Sequence, residues 1–281
     1  MLWREVIAKT AGYLGTKGVD DAQVAAELLA ARLLKTGRGM LGGFADKDAN
    51  EPFLEAMRRG MARLAAGEPV QYVIGEWDFR RLTLKCDRRA LIPRPETEGL
   101  VSLVLKSLKG GEVVIDVGTG TGAIILSLAK EAPSPGLLIG TDVSEDAIGL
   151  ARENAFLAGL EDQVRLLVMD GLEDFDEPQF VDVIVSNPPY IRSADIATLA
   201  PQVRSFEPRL ALDGGESGLD FYERYLGDAL NLLKPGGRVF FEIGNDQGGE
   251  VRALMASFGF SSIEIARDLA GQIRYASAVL E

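Results

Sequence analysis

Histidine is absent from this chain of 281 residues, and cysteine occurs once, as Cys86. The first absence excludes Ser-His-Asp triads, Cys-His pairs and His-ligated metals. The second excludes an intrachain disulfide framework and a thiolate zinc site, and it suits a reducing cytoplasm. No metal is therefore expected. Acid–base work would fall to Asp, Glu, Lys or Tyr, or would be unneeded because a cofactor carries the chemistry. No apolar run approaches the length of a membrane span. The opening Met1-Leu2-Trp3-Arg4-Glu5 lacks a signal-peptide pattern. A cytoplasmic protein without membrane contact is expected. Positive charge is also short, with 30 Lys and Arg against 42 Asp and Glu and a net charge of −12. That balance argues against stable nucleic-acid binding through phosphates. Residues 1–75 are near neutral, so the acidic excess lies in the rest of the chain, where it would suit a basic protein partner. Against these shortages stand a hydrophobic content of 47% and enough length for one large domain or two.

The most informative stretch runs from Val181 to Tyr190. Val181 to Ser186 is apolar and rich in β-branched residues, and reads as a buried parallel strand. It ends in Asn187-Pro188-Pro189-Tyr190. Neither proline offers a ladder N–H, so the strand must stop and present Asn187 at its carboxyl end. In open α/β sheets that end is where ligands bind. An attacking amide or amino NH2 needs acceptors and a flat surface. The Asn187 carboxamide oxygen and the Pro188 carbonyl can accept its two hydrogens. Pro189 and Tyr190 can form an apolar wall, and the stiff Pro-Pro backbone keeps the acceptors aimed. The plain alternative is a strand followed by a proline-broken loop.

Residues 1–73 read as a small helical bundle, with helical spacing over Leu2–Leu14, Asp20–Leu34 and Pro52–Ala66. Asp20 is expected to cap the second helix and Gly37 to end it. Residues 74–96 read as a β-hairpin linker, with strand alternation from Trp77 to Leu84. Two prolines flank Arg94, which is either a surface charge or a residue that meets substrate or cofactor. Residues 97–281 are expected to form one domain, in which Thr97 or Glu96 opens a helix and from Val113 the chain alternates strand and helix. Strands are expected at Val113–Val117, Leu137–Thr141, Val164–Met169, Val181–Ser186, Arg238–Ile243, Ser262–Ala266 and Arg274–Leu280. Helices are expected at Gly122–Lys130, Glu145–Ala158, Leu219–Leu233 and Gly248–Ser257, with a long loop at Ile191–Gly215. The fold class is α/β, a doubly wound Rossmann-like sheet.

The first of these strands runs into Asp116-Val117-Gly118-Thr119-Gly120-Thr121-Gly122. Glycines allow a tight turn and a close ligand, and the loop also fits a dinucleotide fingerprint. Asp142 ends the next strand, 20 positions after Gly122, where a carboxylate can accept both ribose hydroxyls. Asp170 ends the third, where its carboxylate or the adjacent main chain at Gly171 can reach an adenine edge. Asp116 can accept from an amino-acid ammonium, directly or through water. A nucleoside with an amino-acid tail is S-adenosyl-L-methionine, which fits these residues and Asn187 better than NAD does.

Taken together, these stretches resemble the HemK/PrmC family of protein-(glutamine-N5) methyltransferases. Gly67-Glu68-Pro69-Val70, Leu91-Ile92-Pro93-Arg94-Pro95-Glu96-Thr97-Glu98, Asp116–Gly122, Ser186–Ile191 and Phe206-Glu207-Pro208 carry the likeness over nearly the whole chain. The resemblance implies a class I S-adenosylmethionine-dependent methyltransferase with S-adenosyl-L-homocysteine as product. Its implied substrate is the glutamine of the Gly-Gly-Gln motif in peptide chain release factors; the N-terminal bundle is either their dock or a purely structural lobe. One departure is Gly171, where some relatives carry an aromatic residue able to stack on adenine. Glutamine methylation of a ribosomal protein would need the same site. Adenine-N6 methylation would use the same NH2 chemistry, but the chain lacks a basic stripe. A cofactor-binding regulatory module and an NAD-linked oxidoreductase are further alternatives.

Overall fold

The computed structural model describes residues 1–281. Two compact units form, Met1–Glu76 with Ala200–Phe206, and Trp77–Leu199 with Glu207–Glu281. The expected linker segment 74–96 thus divides after Glu76.

In the first unit, α1 (Trp3–Thr16), α2 (Ala22–Leu34), α3 (Glu51–Ala65) and α4 (Val70–Ile74) enclose a core of Trp3, Leu14, Leu29, Met57 and Leu64. The Asn50 carboxamide oxygen caps α3 by accepting from the Phe53 amide at 3.3 Å. Two expected caps are corrected. The residue before α2 is Asp21, in a left-handed conformation and without a side-chain cap, so Asp20 does not cap the helix. Lys35, with φ 51°, turns the chain at the other end, and Gly37 is extended. The left-handed turn comes two residues early, after which Arg38–Phe44 forms a 3-10 helix in the expected loop. The sequence also did not signal α4. It is held by Arg63, which pairs with both Glu68 carboxylate oxygens at 2.8 Å and donates to the Tyr72 carbonyl at 2.9 Å.

The second unit begins with a hairpin, β1 (Glu76–Phe79) and β2 (Leu82–Lys85), whose Phe79, Leu82 and Leu84 are buried in its core. Then follow α5 (Thr97–Ser107), β3 (Val114–Val117), α6 (Ala123–Glu131), β4 (Leu138–Asp142), α7 (Glu145–Ala158), β5 (Val164–Val168) and β6 (Val181–Ser186). A short helix, α8 (Pro201–Phe206), lies in the expected long loop and belongs to the first unit. The chain closes with α9 (Asp220–Leu232), β7 (Leu233–Glu242), α10 (Gly248–Ser257), β8 (Phe260–Arg267) and β9 (Ile273–Leu280). Strand β7 takes in Lys234–Gly237, so it starts ahead of the expected Arg238.

The sheet has seven strands in the order β5-β4-β3-β6-β7-β9-β8. Strands β5 to β7 run parallel, and β9 and β8 return antiparallel. One apolar cluster joins the hairpin with α5, α6 and α7, and a second gathers α9 and α10. The strand order reverses at β3, which lies between β4 and β6. That reversal opens a crevice at the carboxyl ends of these strands. No helix is long and apolar enough to cross a membrane.

Helix α5 packs closely on β9. A Cβ added at Gly99 would overlap the Tyr275 hydroxyl, which donates to the Glu96 carbonyl at 2.6 Å. Tyr275 is buried and cannot swing away. Gly99→Ala should therefore destabilise the fold by about 1–3 kcal/mol, as overpacking does. Urea denaturation of both proteins checks this, and equal midpoints would refute it.

Candidate active site

A cleft of about 1050 Å³, counting its open mouth, lies at the carboxyl ends of the central strands. Into it come Arg94, Gly118, Thr119, Gly120, Thr121, Asp142, Asp170, Gly171, Asn187 and Pro189 of the expected site residues. Asp116, Gly122, Pro188 and Tyr190 do not line it.

The glycine loop leaves β3 with Gly118, Gly120 and Gly122 all at positive φ, a region that side-chain-bearing residues avoid. Two hydrogen bonds tie it to β4, from the Gly118 and Thr119 amides to the Thr141 carbonyl at 2.9 and 2.8 Å. Asp142 fixes the turn further. Its Oδ2 accepts from the Gly120 amide and its Oδ1 from the Ser144 amide, each at 2.9 Å. Ser144 also caps α7 through the Ala147 amide. Burial raises the Asp142 pKa, while the two amides lower it. The carboxylate keeps lone pairs for further donors.

Asp116 lies beneath this loop and is fully buried. Its Oδ2 accepts from the Thr119 hydroxyl at 2.6 Å, and its Oδ1 has no partner. Burial pushes its carboxyl up to about 7, and the Thr119 bond opposes that shift.

Asp170 is exposed at the end of β5 and is engaged by Arg224, which donates to its carboxylate at 2.8 Å and to its carbonyl at 2.7 Å. A Cβ on Gly171 would lie 3.2 Å from both Arg224 and the Tyr225 ring. The space that a side chain at position 171 would take is thus already filled from α9. Phe221 and Tyr225, four residues apart on α9, line the cleft there with ring centroids 5.9 Å apart. This aromatic pair escaped the sequence reading. Its only signal was the i, i+4 spacing at the start of an amphipathic helix.

Arg94 is half-buried and pairs with the buried Glu207 carboxylate at 2.6 Å. The other Glu207 oxygen accepts from the Ile92 amide at 3.3 Å. Arg94 therefore both lines the cleft and fastens the loop after α8 to the segment before α5.

At the end of β6, the Asn187 amide nitrogen donates to the Thr97 hydroxyl at 3.2 Å. Pro188 is buried, and Pro189 faces the cleft. The Tyr190 ring packs against the core of α9 and α10, and burial raises its hydroxyl to about 12. Behind Pro189 and Tyr190 runs Gly214, where a Cβ would come within 2.9 Å of their backbone atoms. Only glycine lets the two backbones touch there. Leu210 stands exposed at the rim of the cleft.

The cleft thus combines a pinned carboxylate beside a glycine turn, an aromatic wall and a rigid amide acceptor. That set can hold a nucleoside and offer acceptors to an NH2 group.

Two family patterns match the chain, the PrmC N-terminal domain over residues 5–75 and a methyltransferase domain over residues 108–266. The chain is 39% identical over 268 residues to the release factor glutamine methyltransferase of Geobacter sulfurreducens, covering 94% of this chain and 92% of that one. It is 32% identical over 289 residues to the MTRF1L release factor glutamine methyltransferase of Homo sapiens, covering 96% and 85%. Among solved structures, a methyltransferase from Pyrococcus furiosus is similar with a TM-score of 0.53, at 23% identity over 70% of this chain and 88% of that one. That last likeness concerns the fold alone.

The raised Asp116 pKa has a consequence for stability. The folded protein holds its proton more tightly than the unfolded chain does, so this group's contribution is greatest below the usual carboxylate range. It is lost as pH rises from the ordinary aspartate value of 3.8 towards about 7. Asp116→Asn removes that loss. Its stability relative to the unmutated protein should grow by on the order of 2 kcal/mol between about pH 5 and about pH 8. Paired urea melts across that range measure it, and a difference independent of pH would contradict the assignment.

Proposed function

The chain belongs to the family of release factor glutamine methyltransferases, and on that footing we propose that it methylates the glutamine of the Gly-Gly-Gln motif in peptide chain release factors. The methyl group comes from S-adenosyl-L-methionine and goes to the side-chain amide nitrogen. One observation carries the reading: Asn187 and Pro189 share a cleft with Gly118–Thr121 of the glycine turn and Asp142. An acceptor for a substrate amide and a nucleoside site are thereby held side by side.

The residues present fit the cofactor. The orphaned Asp116 Oδ1 beneath the turn suits an ammonium or its bridging water. Asp142 offers acceptors to ribose hydroxyls, and Phe221 and Tyr225 offer an adenine wall where Gly171 has no side chain. Bound there, the cofactor supplies a sulfonium-activated methyl group, so the protein contributes position and electrostatics. Asn187 Oδ1 accepts a hydrogen of the substrate amide and directs its nitrogen, and the Pro188 carbonyl, on a residue that does not itself line the cleft, would have to be reached from beside Asn187 to accept the second. Pro189 and Leu210 give the glutamine stem an apolar surface. No strong base is needed beforehand, because the nitrogen can lose its proton after transfer.

The N-terminal unit serves as the release-factor dock. Supporting this, the family-specific N-terminal pattern falls on residues 5–75, apart from the general methyltransferase pattern at 108–266. A net charge of −12 supports a protein substrate over nucleic acid.

The test is transfer of labelled methyl groups to a purified release factor, with a Gly-Gly-Ala variant of that factor as control. Label on the unaltered factor alone is expected. Asn187→Ala should lower kcat about 100-fold or more, the scale of losing an aligned acceptor. Label on both factors, or full turnover by Asn187→Ala, would reject the mechanism.

A further inference from the structure

Asn187 can orient a substrate NH2 only if its carboxamide oxygen, and not its nitrogen, faces the cleft. The two ends of an amide have nearly the same shape, so packing alone does not choose between them. Hydrogen bonding does choose. The Asn187 nitrogen lies 3.2 Å from the Thr97 hydroxyl, and that hydroxyl lies 2.7 Å from Glu242 Oε2. Thr97 is the first residue of α5, Glu242 the last of β7, and both side chains are buried. A hydroxyl has one proton to give. An ionised carboxylate only accepts, so the Thr97 proton goes to Glu242. The Thr97 oxygen is then left as an acceptor, which only the NH2 end of Asn187 can satisfy. The Asn187 oxygen is turned the other way.

We propose that Thr97 and Glu242 act as a positioning pair that sets the direction of the Asn187 amide and so presents its oxygen to the substrate NH2. The proposal rests on the methyltransferase reading above and deepens it. Neither residue touches the reacting atoms in this role.

Without the Thr97 hydroxyl, nothing on that side selects the amide's direction. The flipped amide would set its own NH2 against the substrate's, donor facing donor. Glu242 is anchored independently, since its carbonyl accepts from the Tyr222 hydroxyl at 2.9 Å. Burial pushes its carboxyl up to about 7 against the Thr97 hydrogen bond, with Arg274 and Arg94 also lowering it and Glu96 raising it. Assays above that value keep it acceptor-only.

The experiment compares unmutated protein, Thr97→Val and Thr97→Ser at about pH 8.5 with saturating cofactor and release factor. Valine keeps the shape and loses the hydroxyl, whereas serine keeps the hydroxyl. Thr97→Val should lose about 10- to 100-fold in kcat, with the KM for S-adenosyl-L-methionine changed less than about twofold. Thr97→Ser should recover most of the loss. Equal kcat in Thr97→Val and the unmutated protein overturns the proposal, and so does an equal loss in both variants. If the unmutated protein methylates no release factor, the functional reading fails separately. The pair is then judged from the side-chain amide resonances of Asn187, identified by their absence in Asn187→Asp. Slow solvent exchange of one amide proton should be lost in Thr97→Val and kept in Thr97→Ser, and identical exchange in all three proteins would overturn the pairing.

Discussion

The parallel register of β3, β6 and β7 is the constraint on which the cleft depends. Val117 lies beside Ser186, and Ser186 beside Phe241. Just past this level come Gly118 and Asn187, the residues that follow β3 and β6, while Glu242 is the last residue of β7. The Ser186 hydroxyl, donating to the Val117 carbonyl at 2.6 Å, ties the first two strands at that level. Pro188 and Pro189 forbid further pairing, so β6 cannot extend past it. A slip of one residue would turn every side chain of β6 to the opposite face, against two apolar layers that cannot both be satisfied. The glycine turn, the amide acceptor and the buried acid behind it therefore share one origin in the alignment of three strand ends.

Around this alignment the protein buries acids, which costs stability unless they are hydrogen-bonded. The same arrangement occurs twice. Thr119 donates to Asp116 at 2.6 Å, and Thr97 donates to Glu242 at 2.7 Å. In each case a short hydroxyl side chain outside the sheet is held by a buried carboxylate on a strand, and a piece of the site is held with it. Thr119 fixes the glycine turn and Thr97 fixes the partner of Asn187. The raised pKa values of both acids measure what burial costs. The return is a polar site that does not reorganise when substrate enters.

The features legible in the sequence are those set by neighbours in the chain. A β-branched run stopped by Pro-Pro, glycines after a strand and an acid at the end of the next strand all report local backbone requirements, and the α/β alternation follows from the same signals. The caps of α2 were misread because a left-handed backbone at Asp21 and Lys35 leaves no mark in residue type. Helix α4 was missed because it is five residues long and held by Arg63 from another helix. Phe221 and Tyr225 were invisible as cleft residues, since their meaning depends on Gly171 leaving room 50 positions earlier in the chain.

The Pro93–Glu98 stretch shows why a short motif can identify a family while its purpose stays hidden. Its residues reach different distant partners. Arg94 pairs with Glu207 after α8. The Glu96 carbonyl accepts from Tyr275 on β9. Thr97 donates to Glu242 on β7. Glu98 accepts from the Arg80 amide in the hairpin through its carboxylate and from the Arg80 guanidinium through its carbonyl. Four contacts thus fasten the start of α5 to four separate parts of the unit, and one of them, through Thr97, reaches Asn187 at the end of β6. None can be read without the partner, because the contacts span between 18 and 179 positions of chain. The motif is a junction at which the hairpin, the sheet and the loop after α8 are brought to bear on the position of Asn187.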